Sequence, residues 1–199
     1  MGQGRLASHQ NKAQRLNAHI VFLDESGLLL APLVRRTWAP RSQTPVLPQP
    51  GRYREKASII GALSVSPRRR RVAFHFSVWA ERNVDGAWLT QFVRNLRRQI
   101  QRPIILVWDR LNVHRSRPVA RMLHRSRNLY VEFLPPYAPE LNSVEAAWAH
   151  LTMNPLANLA PEDSLELADI AERHVRAFRR RKSLLKSFIR STPLFPRLK

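Results

Sequence analysis

The run Ile104 to Trp108 (IILVW) constrains the fold more than any other stretch of the chain. Pro103 opens it, Asp109 stops it, and it leaves no polar face for solvent. Such a run reads as a strand buried on both faces, the situation of a central strand in a sheet with helical crossovers. His19 to Leu23 (HIVFL) has the same texture and ends at Asp24. Residues 57–65 and 71–79 read as two further strands, and the SPRRRR between them makes a hairpin with Arg68, Arg69, Arg70 and Arg71 at its tip. Residues 129–134 (LYVEFL) complete the set, stopped by Pro135 and Pro136.

Helical periods fill the intervals. Between Val84 and Ile100, Trp88, Leu89, Phe92, Val93 and Leu96 recur at amphipathic spacing. Residues 118–127 and 141–153 predict helices, and residues 162 to about 190 one or two more. Residues 32–56 carry five prolines and suit a long irregular loop, while residues 1–18 read as a basic arm or linker remnant. The order β-β-β-α-β-α-β-α predicts an α/β domain over residues 19–160, a mixed sheet flanked by helices. Residues 161–199 read as a basic helical C-terminal extension. In such sheets chemistry gathers at the carboxyl ends of the central strands, where Asp24 and Asp109 stand.

Charge makes those two acids conspicuous. The chain has 34 Lys and Arg against 14 Asp and Glu, a formal charge of +20. That field attracts polyanions, with nucleic acid the leading class and an anionic membrane surface the other. No apolar run is long enough to span a bilayer, and the N-terminus lacks the apolar core of a signal peptide, so a cytoplasmic location is expected. With no cysteine, any metal must sit on oxygen or imidazole ligands. Carboxylates converging at a sheet edge repel one another, and a hard divalent cation such as Mg²⁺ relieves that repulsion. The plainer reading of each acid stays open at this level: a strand-end Asp can be a turn former, and Glu145 can close a capping box on Asn142.

The stretch Leu134-Pro-Pro-Tyr-Ala-Pro-Glu-Leu-Asn-Ser-Val-Glu145-Ala-Ala-Trp148 resembles the LPPYSPxLNPxExxW signature of the IS630/Tc1/mariner transposases. Val21-Phe-Leu-Asp24-Glu-Ser-Gly27 is similar to that family's first-aspartate strand, and Val107-Trp-Asp109-Arg-Leu-Asn-Val-His114 to its second-aspartate motif. The segment Thr37 to Pro45 is similar to its tryptophan-containing loop. The motifs run from about residue 19 to 155 in the family's order, with 36 positions from Asp109 to Glu145. The resemblance implies an RNase H-like fold and a DDE triad of Asp24, Asp109 and Glu145. It implies that these acids are catalytic and hold two Mg²⁺ or Mn²⁺ ions for DNA strand cleavage and strand transfer. It further implies transposon-end and target DNA as partners, a homodimer when active, and a bacterial, nucleoid-associated setting. The family's helix-turn-helix domains have no counterpart in the roughly 18 residues before the first strand, which suggests a separate N-terminal polypeptide. The alternative is a catalytically silent, truncated DNA-binding remnant. A basic RNA-binding protein is a third class, and it leaves the strand-end acids unexplained.

Some departures are visible: Ser143 stands where the family usually has Pro, Arg110 follows the second aspartate, and Ser42 replaces a common Gly. Around the triad, Glu25 competes with Asp24 as the ligand, although adjacent strand residues point to opposite faces. His114 is suited to contacting a phosphate or ordering its loop. Trp148 is suited to packing the Glu145 helix or stacking on a base. Asn142 and Tyr137 are supporting candidates, and Glu132 is expected to face away from the apolar side, inert. After Glu172 the chain has ten basic residues and no acid. Arg179, Arg180, Arg181 and Lys182, with the arginines at 68–71, are the candidates for phosphate-backbone contact.

Overall fold

The computed structural model describes residues 12–31, 33–47 and 55–193. It contains one five-stranded sheet in the order β3-β2-β1-β4-β5. The strands are β1 (His19–Leu29), β2 (Lys56–Val65), β3 (Val72–Ala80), β4 (Ile104–Trp108) and β5 (Leu129–Phe133). β1 pairs antiparallel with β2 and parallel with β4, so the sheet is mixed at its centre. The helices are α1 (Gly86–Ile100), α2 (Arg117–His124), α3 (Ser143–Met153), α4 (Ser164–Phe178) and α5 (Lys182–Arg190).

Strand alternation sorts the helices into two layers. Ile20 and Phe22 of β1, with Ile105 and Val107 of β4, face α3, α4 and α5. Val21 and Leu23, with Ile104, Leu106 and Trp108, face α1 and α2. All five residues of β4 are buried, as a strand covered on both sides requires. The C-terminal segment is the outer layer of the same core: Leu167, Val175 and Phe178 of α4 and Leu185, Phe188 and Ile189 of α5 all pack into it. Its basic residues stay outside while the apolar stripe is buried.

Three details differ from the sequence reading. β1 continues to Leu29 because residues 24–29 pair with β2, and the polar Glu25-Ser26-Gly27 masked that continuation. Residues 12–15 form a helical turn, and Ala13 and Ala18 join the core, so the described part of the N-terminal arm is docked. Glu132 is not inert: it accepts from Lys12 Nζ at 2.7 Å. Residues 33–47 are irregular as expected and exposed over most of their length. Their start is tied to the α3–α4 connection, where Asn158 accepts from Arg35 N and donates to Arg35 O.

Candidate active site

Parallel pairing of β1 with β4 brings the two aspartates together. The register matches Phe22 with Val107. Two residues further along each strand stand Asp24 and Asp109, both at positions that alternation assigns to the α3 face. α3 covers that face through Val144, Ala147, Trp148 and Leu151, and carries Glu145 in its first turn. Three elements separated in sequence therefore deliver Asp24, Asp109 and Glu145 to one sheet face, at the carboxyl end of β4 and midway along β1.

Asp24 is the buried member, 7% exposed. Trp148 Nε1 donates to its Oδ2 at 2.9 Å. Trp148 also packs edge-on against Phe74, with ring centroids 6.1 Å apart. It lies over Gly61, the β2 partner of Asp24, where an added Cβ would come within 2.5 Å of the indole. The missing side chain at 61 is what admits the tryptophan to the aspartate. Trp148 thus packs and orients, and its buried ring is not presented for base stacking.

Asn142 joins the same assembly. Its Oδ1 caps α3 by accepting from Val144 N at 3.2 Å, and its Nδ2 donates to Leu23 O at 3.1 Å. The cap thereby fixes the start of the Glu145 helix to the peptide just before Asp24. The capping box is only half formed, since the Glu145 carboxylate makes no hydrogen bond among the described residues and is left exposed to the site.

Asp109 is held from the other side of the sheet. Its Oδ1 accepts from Leu111 N at 3.0 Å, so the turn-forming role is real as well. His114 Nδ1 lies 2.9 Å from Asp109 O and 3.1 Å from Asp109 Oδ1. His114 Nε2 lies 3.1 Å from Glu25 Oε1, and the ring stacks on Trp108 at 4.2 Å. Glu25 therefore turns away from Asp24 and buttresses His114, a role the sequence did not reveal. Burial disfavours the imidazolium, but the Glu25 hydrogen bond and charge, with Asp109, outweigh it and raise the His114 pKa. Acceptor oxygens face both ring nitrogens.

The carboxylates interact as a group. Burial first, then the charges of Glu145 and Glu25, push Asp24 up to about 8, against the opposing Trp148 bond. Glu145 is also raised, by burial and by Asp109. The site thus has unmet negative charge and oxygen-only donors, which suits a hard divalent cation. Among the described residues no three acidic or imidazole side chains are gathered closely enough to enclose an ion as they stand.

The other predicted residues lie apart. β2 runs back along β1, with Val65 opposite Ile20, so the hairpin tip carrying Arg68, Arg69, Arg70 and Arg71 is at the far end of the sheet. That end is roughly 13 Å from Asp24 along the strands. Arg179 sits over the Phe76 ring at 5.7 Å. Phe76 pairs with Gly61, so Arg179 is on the triad's face, two strands or about 10 Å across. Arg180, Arg181 and Lys182 follow it, exposed, at the α4–α5 junction. Tyr137 is fully exposed, with a positive φ of 56°.

Residues 19–167 match the family described as DDE superfamily endonuclease. No curated protein matches the sequence significantly. Among solved structures, the Mos1 mariner paired-end complex with Mn aligns with a TM-score of 0.63 at 17% identity, over 96% of this chain and 57% of that one. The Mos1 paired-end complex with the left transposon end gives 0.62 at 17% identity, with the same coverage. The Mos1 catalytic domain with raltegravir and Mg gives 0.53 at 15% identity, over 94% of this chain and 90% of that one. The chain spans just over half of the longer Mos1 chains, and the likeness is one of fold. The match over residues 19–167 shows that the chain belongs to the DDE superfamily endonuclease family, and its fold is the RNase H-like architecture seen in the Mos1 catalytic domain.

Proposed function

We propose that the chain is the catalytic domain of a DNA transposase, cutting and joining DNA at Asp24, Asp109 and Glu145. One observation carries the reading: β1, β4 and α3 bring three carboxylates together on one sheet face, where burial and mutual repulsion raise the pKa values of Asp24 and Glu145. Trp148 and Asn142 fix Asp24 and the start of α3. His114, held by Glu25, fixes Asp109. Two Mg²⁺ or Mn²⁺ ions on these oxygens would supply the positive charge that activates an attacking hydroxyl and stabilises the leaving oxygen. The partly exposed Asp109 and the exposed Glu145 leave the site open on the solvent side, as a duplex substrate needs. Arg179, Arg180, Arg181 and Lys182 flank the same face and serve the DNA backbone, with Arg68 to Arg71 contacting a more distant stretch. Transposon ends and target DNA are the substrates of this reading, and a homodimer is the active form. The setting is a bacterial nucleoid, and no described helix is long and apolar enough to cross a membrane.

The test is nicking of supercoiled DNA in Mg²⁺ or Mn²⁺ beside an Asp109→Asn variant. Metal-dependent nicking that the variant lacks supports the reading. Silence of both forms, with duplex binding retained, favours a DNA-binding remnant instead.

A further inference from the structure

Between α1 and α2, on the sheet face opposite the carboxylates, lies a cleft of about 350 Å³. One wall is the α1 stripe with Thr90, Arg94 and Arg97, and the other is the α2 stripe with Arg121, leading to Arg125 and Ser126. The apolar stripes of both helices are buried in the core through Val93, Leu96, Val119 and Met122. The lining of the cleft between them carries four arginines. Arg97 alone is satisfied internally, donating to Ser126 Oγ and to Arg127 O. Arg94, Arg121 and Arg125 have no ion-pair or hydrogen-bonding side-chain partner among the described residues, and are exposed. No acid relieves them: from Gly86 to Asn128 the chain has ten arginines and one acid, Asp109. Like charges at i, i+3 and i, i+4 destabilise both helices.

A second observation points into the same cleft. Thr90 is 5% exposed, and its Oγ1 has no hydrogen-bond partner among the described residues. A buried hydroxyl without a partner costs stability unless something supplies one. The groove is also narrow by construction: an added Cβ on Gly86 would come within 2.1 Å of Ser116 Oγ, so the glycine sets how closely α2 approaches α1. Arginine forks around a hydroxyl are the chemistry of a phosphate site.

We propose that the α1–α2 cleft binds the phosphodiester backbone of a DNA duplex segment other than the one presented to the carboxylates. This rests on the reading of the chain as an enzyme acting on DNA. The sheet separates the two faces, so a duplex seated on α1 and α2 is not the stretch being cut. Arg94, Arg121 and Arg125 take successive phosphates without reading bases.

The test uses the whole chain in EDTA, where cutting plays no part. Because the chain has no cysteine, Ala87→Cys places a unique photo-crosslinker at the cleft rim. A duplex of unrelated sequence is expected to crosslink there, and Arg94→Ala/Arg121→Ala/Arg125→Ala in that background should abolish the crosslink. The triple variant should also bind the duplex about tenfold or more weakly and lower the slope of log affinity against log salt by about 2 to 3. A thermal melt checks that these surface changes leave the fold intact. Unchanged affinity and salt slope, with no crosslink from the Ala87→Cys chain, overturn the proposal. So does a label on the Ala87→Cys chain that inorganic phosphate alone shields and duplex leaves untouched, which would make this a free-anion site. Failure of wild-type nicking would bear on Asp24, Asp109 and Glu145 and leave this binding result standing.

Discussion

Replacing Asp24 with Asn should stabilise the metal-free protein, and increasingly so as pH rises. The Asp24 carboxyl titrates near 3.8 when free and about 8 in the folded chain. Because the folded value is the higher one, the folded chain holds an extra proton between those limits, and stability falls as pH rises across that window. At 1.36 kcal/mol per unit, ionising this group opposes folding by up to about 2 kcal/mol at pH 5 and about 5 kcal/mol at pH 7.5. Asn keeps an oxygen to accept from Trp148 Nε1 and carries no charge. The gap between variant and wild type should therefore widen by about 3 kcal/mol from pH 5 to 7.5, or about 6–12 °C in melting temperature. The assay is thermal unfolding in EDTA over that range, repeated with saturating Mg²⁺. Metal should narrow the gap by about half at pH 7.5 by stabilising wild type alone, since a ligand bound only by the folded form adds about 2.7 kcal/mol at a hundred times its Kd. A variant no more stable than wild type at pH 7.5 in EDTA, or a gap that stays flat with pH, would refute the electrostatic reasoning.

The supports around the acids give further expected outcomes. Trp148→Phe removes the hydrogen bond that opposes the rise of the Asp24 pKa, so the pH profile of nicking should move upward, and stability should fall by about 1.5–3 kcal/mol. Gly61→Ala should displace the Trp148 indole and cost about 1–3 kcal/mol, visible in near-UV circular dichroism. His114→Ala strands the Glu25 carboxylate and should cost about 3–5 kcal/mol, with much of that recovered when Glu25→Gln is added, as a urea double-mutant cycle would measure.

The sheet was legible because β4 is, and β1 opens with, a short buried apolar run followed directly by an acid. Parallel pairing and alternation then dictate that Asp24 and Asp109 share a face. The family resemblance supplied Glu145, and the structure adds that its carboxylate leaves the capping box open toward the site. The supports were less visible. Glu25 and His114 are 89 positions apart, and nothing local to either marks the pair. Trp148 stood out in the motif, but its donation to Asp24 depends on Gly61 of a third element. The far end of β1 was hidden because its pairing with β2, not its own apolar pattern, sustains it. The arginine cleft was hidden for a related reason: residues 94–97 and 121–125 meet only when α1 and α2 pack together.

The most direct test of the central claim is the anomalous difference map of crystals soaked in Mn²⁺. The account predicts peaks bounded by Asp24, Asp109 and Glu145, lost in Asp24→Asn. Manganese bound elsewhere, or no peak at these three carboxylates in crystals of a protein that still nicks DNA, would contradict it.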